Sequence, residues 1–219
     1  MPDVQPLPLL PMLGLVLASY LLGSVPCGLL LGKARGVDVR RVGSGNIGAT
    51  NVGRALGRPW ALVAFACDFG KGLVPSLWLA PLALSGSEPG AVRTAAVLAG
   101  GAAVCGHVWP IYLRFRGGKG VATGCGALVG LDPLLFLAGG VVWLVTLGLF
   151  RMVGLASIAM GVAFPVAAWL RRSEGEGLEV VLGSLALTLL VLARHRANMT
   201  RMLAGTEPKV APWGKGNKR

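Results

Sequence analysis

An all-α, polytopic integral membrane protein of about seven transmembrane helices is the fold class this sequence predicts. Three observations point to it. Apolar residues make up 54% of the 219-residue chain. Charged residues make up only 14%, against roughly 25% in soluble domains. The apolar residues also fall in runs long enough to cross a bilayer, separated by polar loops. By length the chain reads as a single membrane domain, 1–219.

Taken in order, residues 7–31 form the first run. It lacks a basic leading region and an AxA-like end, so it reads as a retained helix rather than a cleaved signal. Residues 33–58 read as a basic polar loop, and 60–84 as a second span interrupted by Asp68 and Lys71. These two lie at i, i+3, a spacing at which they can pair. A third span covers about 92–113 and holds His107 and Pro110. Residues 121–130 are apolar but too short to cross. Gly120/Gly124 and Gly126/Gly130 suit tight helix packing, so a protein-embedded helix is expected there. Spans at 134–150 and 153–170 follow, hinged at Arg151, then a charged loop from Arg171 to Glu179, a short span at 180–193 and a basic tail.

Charge orients this arrangement. With the N-terminus outside and the C-terminus cytoplasmic, all 21 Lys and Arg residues except Lys71, Arg93, Arg171 and Arg172 fall on the cytoplasmic side. The net charge of +12 then fits anionic lipid headgroups, with no nucleic-acid partner. The four cysteines have no CxxC spacing, so free buried thiols are expected, with no disulfide framework and no metal site.

Three polar stretches stand out on the cytoplasmic side. The first, residues 43–54, carries Ser44, Asn46, Thr50, Asn51 and Arg54 between glycines. Its GxGxxG spacing follows no strand pattern, which excludes a dinucleotide fold. What remains is a set of donors suited to a phosphate and a polyol. The second, residues 114–124, places Lys119 among Gly117, Gly118 and Gly120. These glycines would let the backbone take φ > 0 and turn successive N–H groups toward an anion. A helix starting at Val121 would add the positive end of its dipole. The third, residues 194–201, sets His195 and Asn198 on one helical face; His is the usual general base near neutral pH. The competing readings are an orienting basic loop, a flexible connection and a headgroup-binding cluster.

In this order, SGNIGATNVGR, GHVWPIYLRFRGGKGVAT and RHRANMTRMLAGTE resemble the three motifs of the bacterial acyl-phosphate:glycerol-3-phosphate acyltransferase family. The third departs from the family pattern at Ala197, where an acidic residue is common. The resemblance implies a seven-helix enzyme of the bacterial inner membrane that makes lysophosphatidic acid, with no metal and no nucleotide cofactor. The chain has no Cys–His–acid set and no G-x-S-x-G elbow, so direct attack on the activated acyl phosphate is expected rather than a covalent acyl-enzyme. Gly117, Gly118, Lys119 and Gly120, with Thr50 and Asn51, are expected to hold the donor phosphate. Ser44, Arg54, His195 and Asn198 are expected to hold glycerol 3-phosphate, with Lys119 between the two sites. Ser44, Lys119, His195 and Asn198 are the expected catalytic residues, Asn46 is a further expected substrate-binding residue, and the enzyme is expected to act as a monomer. The alternative is a membrane carrier for small organophosphates, which Asp68 and Lys71 inside a span would suit.

Overall fold

The computed structural model describes residues 9–172 and 177–210, and the regular elements among them are all helical. The expected single domain divides into two compact units, Met1–Pro133 and Leu134–Arg219. The start of the 7–31 run, the middle of the 171–179 loop and the end of the basic tail lie outside the described residues.

The first unit begins with α1 (Leu9–Ser24) and α2 (Cys27–Ala34). They are one apolar run broken at Pro26, which has no N–H to donate and whose ring crowds the preceding turn. Residues 33–58, expected as a loop, contain a short 3-10 turn at Val39–Arg41 and the helix α3 (Ala49–Leu56). α3 is amphipathic, with Asn51 and Val52 buried and Thr50 and Arg54 exposed. Its two turns are too few to register as a periodic pattern in sequence. α4 (Arg58–Val74) runs into a π-helical turn, Pro75–Leu79, and the single turn α5 (Ala80–Ala83). The wide turn starts at the proline, which cannot continue the i−4 ladder. α6 (Pro89–Val108) ends at Trp109–Pro110, and α7 (Val121–Leu131) closes the unit.

α7 is embedded as expected: every residue from Thr123 to Leu128 is buried. At 11 residues it is about 16 Å long at 1.5 Å per residue, half a hydrocarbon core. Small residues bring it against α4. A Cβ on Gly126 would meet the Phe69 carbonyl, and one on Gly72 would meet the Thr123 carbonyl. α1 meets α6 in the same way through Gly23 and Gly106.

The second unit holds α8 (Pro133–Phe150), α9 (Val153–Arg171), α10 (Leu178–Arg194) and α11 (Arg196–Leu203). α8 is almost wholly apolar and mostly exposed, as a lipid-facing helix should be. Thr188 on α10 donates to the Gly161 carbonyl of α9 at 2.6 Å. The tail expected after residue 193 is helical at first, since α11 continues past α10 with a bend of 55°.

The protein is thus an all-helical, multi-span integral membrane protein. Among the described residues, five stretches are long and apolar enough to cross a bilayer: Leu9–Ala34, Arg58–Ala83, Pro89–Leu113, Pro133–Phe150 and Val153–Arg171. The bent α10–α11 pair makes a sixth if it counts as one span.

If small residues set the α4–α7 distance, Gly126→Ala should lower thermal stability in detergent by an overpacking penalty of about 1–3 kcal/mol. Gly70→Ala, with nothing near its Cβ position, should be neutral or stabilising by up to about 1 kcal/mol. Equal melting temperatures for the two variants would count against close packing.

Candidate active site

Two of the three polar stretches lie in the first unit and share a support. Leu29, Val39, Ile47, Val52 and Ala64 form one buried cluster, against which Leu113 packs. Ile47 and Val52 belong to the first stretch, and Leu113 leads into the second.

The first stretch turns sharply at Gly43 and Gly45, with φ +57° and +69°. Ser44 sits exposed between them. Its N–H donates to Asn51 Oδ1 at 2.9 Å, and Asn51 Nδ2 donates to the Val39 carbonyl at 2.8 Å. Asn51 is only 1% exposed, so both ends of its amide brace the loop from within. That departs from the expected role as a phosphate donor. Asn46 also works locally, its Oδ1 accepting from the Gly48 N–H at 2.8 Å. The outward-facing groups are Ser44, Thr50 and Arg54, and the Arg54 stem lies beside Gly43, 3.4 Å from its Cβ position. A hydroxyl and a guanidinium therefore flank one turn. Just ahead of it, half-buried Asp38 is held well below the usual carboxylate range, chiefly by the Arg40 side chain, whose Nε donates to it at 2.9 Å.

The second stretch corrects the sequence reading more strongly. The Gly117 N–H donates to the Val108 carbonyl at 3.1 Å, and the Gly118 N–H to the His107 carbonyl at 3.0 Å. These two amides are tied back to the end of α6 and do not form the expected anion nest. Neither glycine has a positive φ; of the three, only Gly120 does, at +80°. Gly117 and Gly118 are required for close approach: a Cβ on Gly117 would meet the His107 carbonyl, and one on Gly118 would meet His107 Nε2. The positive φ expected of them occurs instead at Arg114 and Phe115, at 51° and 62°, a conformation non-glycine residues rarely hold. Lys119 is half-buried, immediately before the Gly120 cap of α7. The expected pairing of a cation with a helix N-terminus is present, without the two glycine amides.

The third stretch lies in the second unit. His195, 2% exposed, stands at the bend between α10 and α11. Its Nδ1 is 2.8 Å from the Val191 carbonyl oxygen. A carbonyl only accepts, so Nδ1 carries the proton, and Nε2 is the basic atom of the neutral ring. Buried Asn198 donates from Nδ2 to Glu207 Oε1 at 2.6 Å, and Arg201 Nε donates to Glu207 Oε2 at 2.8 Å. Glu207 was missed in the sequence. The signal available was a lone acid in a strongly basic segment. Arg151, expected only as a hinge charge, grips the Val210 carbonyl through Nε and Nη2 at 2.9 and 2.6 Å.

Two further features bear on chemistry. All four cysteines are free thiols, but only Cys125 is buried as expected; Cys27 and Cys105 are half-buried and Cys67 is exposed, because an apolar run that faces outward exposes its thiols as well. Among the described residues no three His, Cys, Asp or Glu side chains gather to hold a metal.

Asn51→Leu leaves the Ser44 N–H and the Val39 carbonyl without their partner. It should destabilise the protein by about 1–3 kcal/mol, read by thermal unfolding in detergent. An unchanged melting temperature would show that the brace is dispensable.

A family model described as glycerol-3-phosphate acyltransferase matches residues 13–205. A glycerol-3-phosphate acyltransferase of Geotalea daltonii is 45% identical over 193 residues, covering 88% of this chain and 94% of the relative. One from Dinoroseobacter shibae is 43% identical over 213 residues, covering 96% and 98%. Among solved structures, PlsY, an integral membrane glycerol 3-phosphate acyltransferase, in its glycerol 3-phosphate form is 36% identical with a TM-score of 0.82, covering 91% of this chain and 96% of that one. Its lysophosphatidic acid form gives a TM-score of 0.80. This chain belongs to the glycerol-3-phosphate acyltransferase family.

Proposed function

We propose that this protein transfers an acyl group from an acyl phosphate to the 1-hydroxyl of glycerol 3-phosphate, giving lysophosphatidic acid and phosphate at the cytoplasmic face of the bacterial inner membrane. The observation that carries the reading is the likeness, over nine-tenths of the chain, to an enzyme with glycerol 3-phosphate and lysophosphatidic acid forms. Family membership weighs against the carrier alternative.

An acyl phosphate is a mixed anhydride, already activated. The acceptor hydroxyl oxygen attacks the carbonyl carbon, the bond from that carbon to the phosphate oxygen breaks, and phosphate leaves with the bonding pair. The hydroxyl proton passes to His195 Nε2, the basic atom of a ring whose Nδ1 is engaged. Lys119 and the N-terminus of α7 hold the donor phosphate and stabilise the charge growing in the transition state. Ser44 and Arg54 hold the phosphate of the acceptor, and Asn198, its amide oriented by Glu207, aligns the acceptor hydroxyl. Thr50, Gly117, Gly118 and Gly120 shape the donor side, while Asn46 and Asn51 hold the first loop in form. The protein works as a monomer among membrane lipids.

Lys119→Ala should abolish transfer while the protein still inserts and folds. Activity within about threefold of wild type, roughly 0.7 kcal/mol, would overturn the donor-site assignment. Arg54→Ala should chiefly raise KM for glycerol 3-phosphate, because that phosphate is held similarly in ground and transition states. His195→Ala should lower kcat by roughly 10²–10⁴. If it changes only the acceptor KM, His195 binds and the proton leaves to the donor phosphate instead.

Topology gives a further check. In a cysteine-free background, cysteines introduced at exposed position 44 and at exposed position 196, next to His195, should be labelled from the cytoplasmic side alone. Labelling from opposite sides would break the assignment of both stretches to one reaction.

A further inference from the structure

Asp68, Lys71 and His107 take no part in the chemistry above, yet all three are at most 5% exposed within the first unit. Asp68 and Lys71 lie on α4, and His107 lies in the last turn of α6. Lys71 Nζ is 2.8 Å from Asp68 Oδ1, 2.8 Å from the Val25 carbonyl oxygen and 3.2 Å from His107 Nδ1. The ammonium donates to the Val25 carbonyl, contacts the imidazole nitrogen and pairs with the carboxylate as an ion, and an ammonium can only donate. His107 Nδ1 is then an acceptor, and the proton of the neutral ring sits on Nε2. That Nε2 faces the glycine-rich stretch: a Cβ on Gly118 would fall on it, with the two neighbouring ring carbons 3.0 Å away. The main chain of the same histidine accepts the Gly118 N–H, and the next carbonyl accepts the Gly117 N–H. Gly118 is thus clamped by both the ring and the backbone of His107, and Lys119 is the next residue.

We propose that Asp68, Lys71 and His107 form a buried positioning cluster that sets the glycine-rich stretch, and through it Lys119, for the donor phosphate. Asp68 fixes Lys71, Lys71 fixes the ring of His107, and the ring fixes Gly118. The assignment rests on the reading of Lys119 as the donor-phosphate ligand. It gives His107 a positioning role, since its contact is with Gly118. A cluster that only stabilised the helix bundle would act on the amount of folded enzyme. A cluster that positions one loop acts on one substrate.

The test is steady-state kinetics of the purified full-length protein, varying acyl phosphate and glycerol 3-phosphate separately, with thermal unfolding alongside. His107→Gln should raise KM for acyl phosphate at least tenfold and leave KM for glycerol 3-phosphate within twofold. The double variant Asp68→Asn/Lys71→Met leaves no buried ion unpaired, so it carries the same expectation should the single variant not fold. An unchanged acyl-phosphate KM in folded protein, or a loss that follows only the folded fraction, would overturn the proposal. A second arm uses Gly118→Ala, whose new methyl collides with the ring. Adding His107→Ala removes the collision and also the clamp, so the acyl-phosphate KM should stay raised. Full recovery would mean that the ring merely occupies space, and would also overturn the proposal. Lys119→Ala in the same assay separates the two readings. Wild-type kinetics there defeat the donor-site assignment, whereas loss there with a normal His107→Gln defeats the positioning role alone.

Discussion

The ammonium of Lys71 is the point on which the first unit depends. It draws its three partners from three segments: the broken end of α1, its own helix and the end of α6. A charge at this depth is tolerated only when it is paired and hydrogen-bonded. Removing one partner of such a set costs about 3–5 kcal/mol, whereas replacing the whole set by apolar groups of similar shape is often neutral or better. Stability alone therefore does not account for the cluster. Its geometry does, because α1, α4 and α6 are fixed in register at the level where the glycine-rich stretch leaves α6.

Satisfaction of polar groups within the chain is also the rule elsewhere. Ser19 and Ser24 donate to the carbonyls of Leu15 and Tyr20, four residues back on α1. Ser157 does so on α9, and Thr188 reaches both its own helix and α9. Removal of apolar surface from lipid does little to drive these helices together, since lipid is as apolar as leucine. Close approach at glycine and alanine does that work. Many large apolar side chains, such as Leu10, Leu62, Leu149 and Leu170, remain on the outside.

The sequence made the spans legible because hydropathy over some twenty residues is a strong signal. The positions of the three polar stretches were legible because residues of that kind interrupt apolar runs. The roles of individual groups within them were less so. Gly117 and Gly118 looked like conformational glycines, but their reason is contact with His107 and Val108, which no local pattern encodes. Asn51 looked like a ligand because amides suit phosphates. Only the fold shows it turned inward between Ser44 and Val39. Lys71 and His107 are 36 residues apart, and Asn198 meets Glu207 across the turn that ends α11. Pairings of that kind follow from packing rather than from periodicity. The short helix α3 was hidden for a different reason: glycines at both ends and a polar face disguise two turns as a loop.

The i, i+3 spacing of Asp68 and Lys71 has a consequence for how the chain enters its membrane. Each charge at the centre of an inserting helix costs about 2.5–3.5 kcal/mol, enough to make α4 a reluctant segment if both were bare. Paired on one helix face at 2.8 Å, they let α4 leave the insertion machinery as a nearly neutral rod. His107 emerges 36 residues later, a delay of about 2–7 s at bacterial synthesis rates. During that interval the nascent helix carries its own counter-ion, and α6 arrives to complete a site that is already charge-balanced.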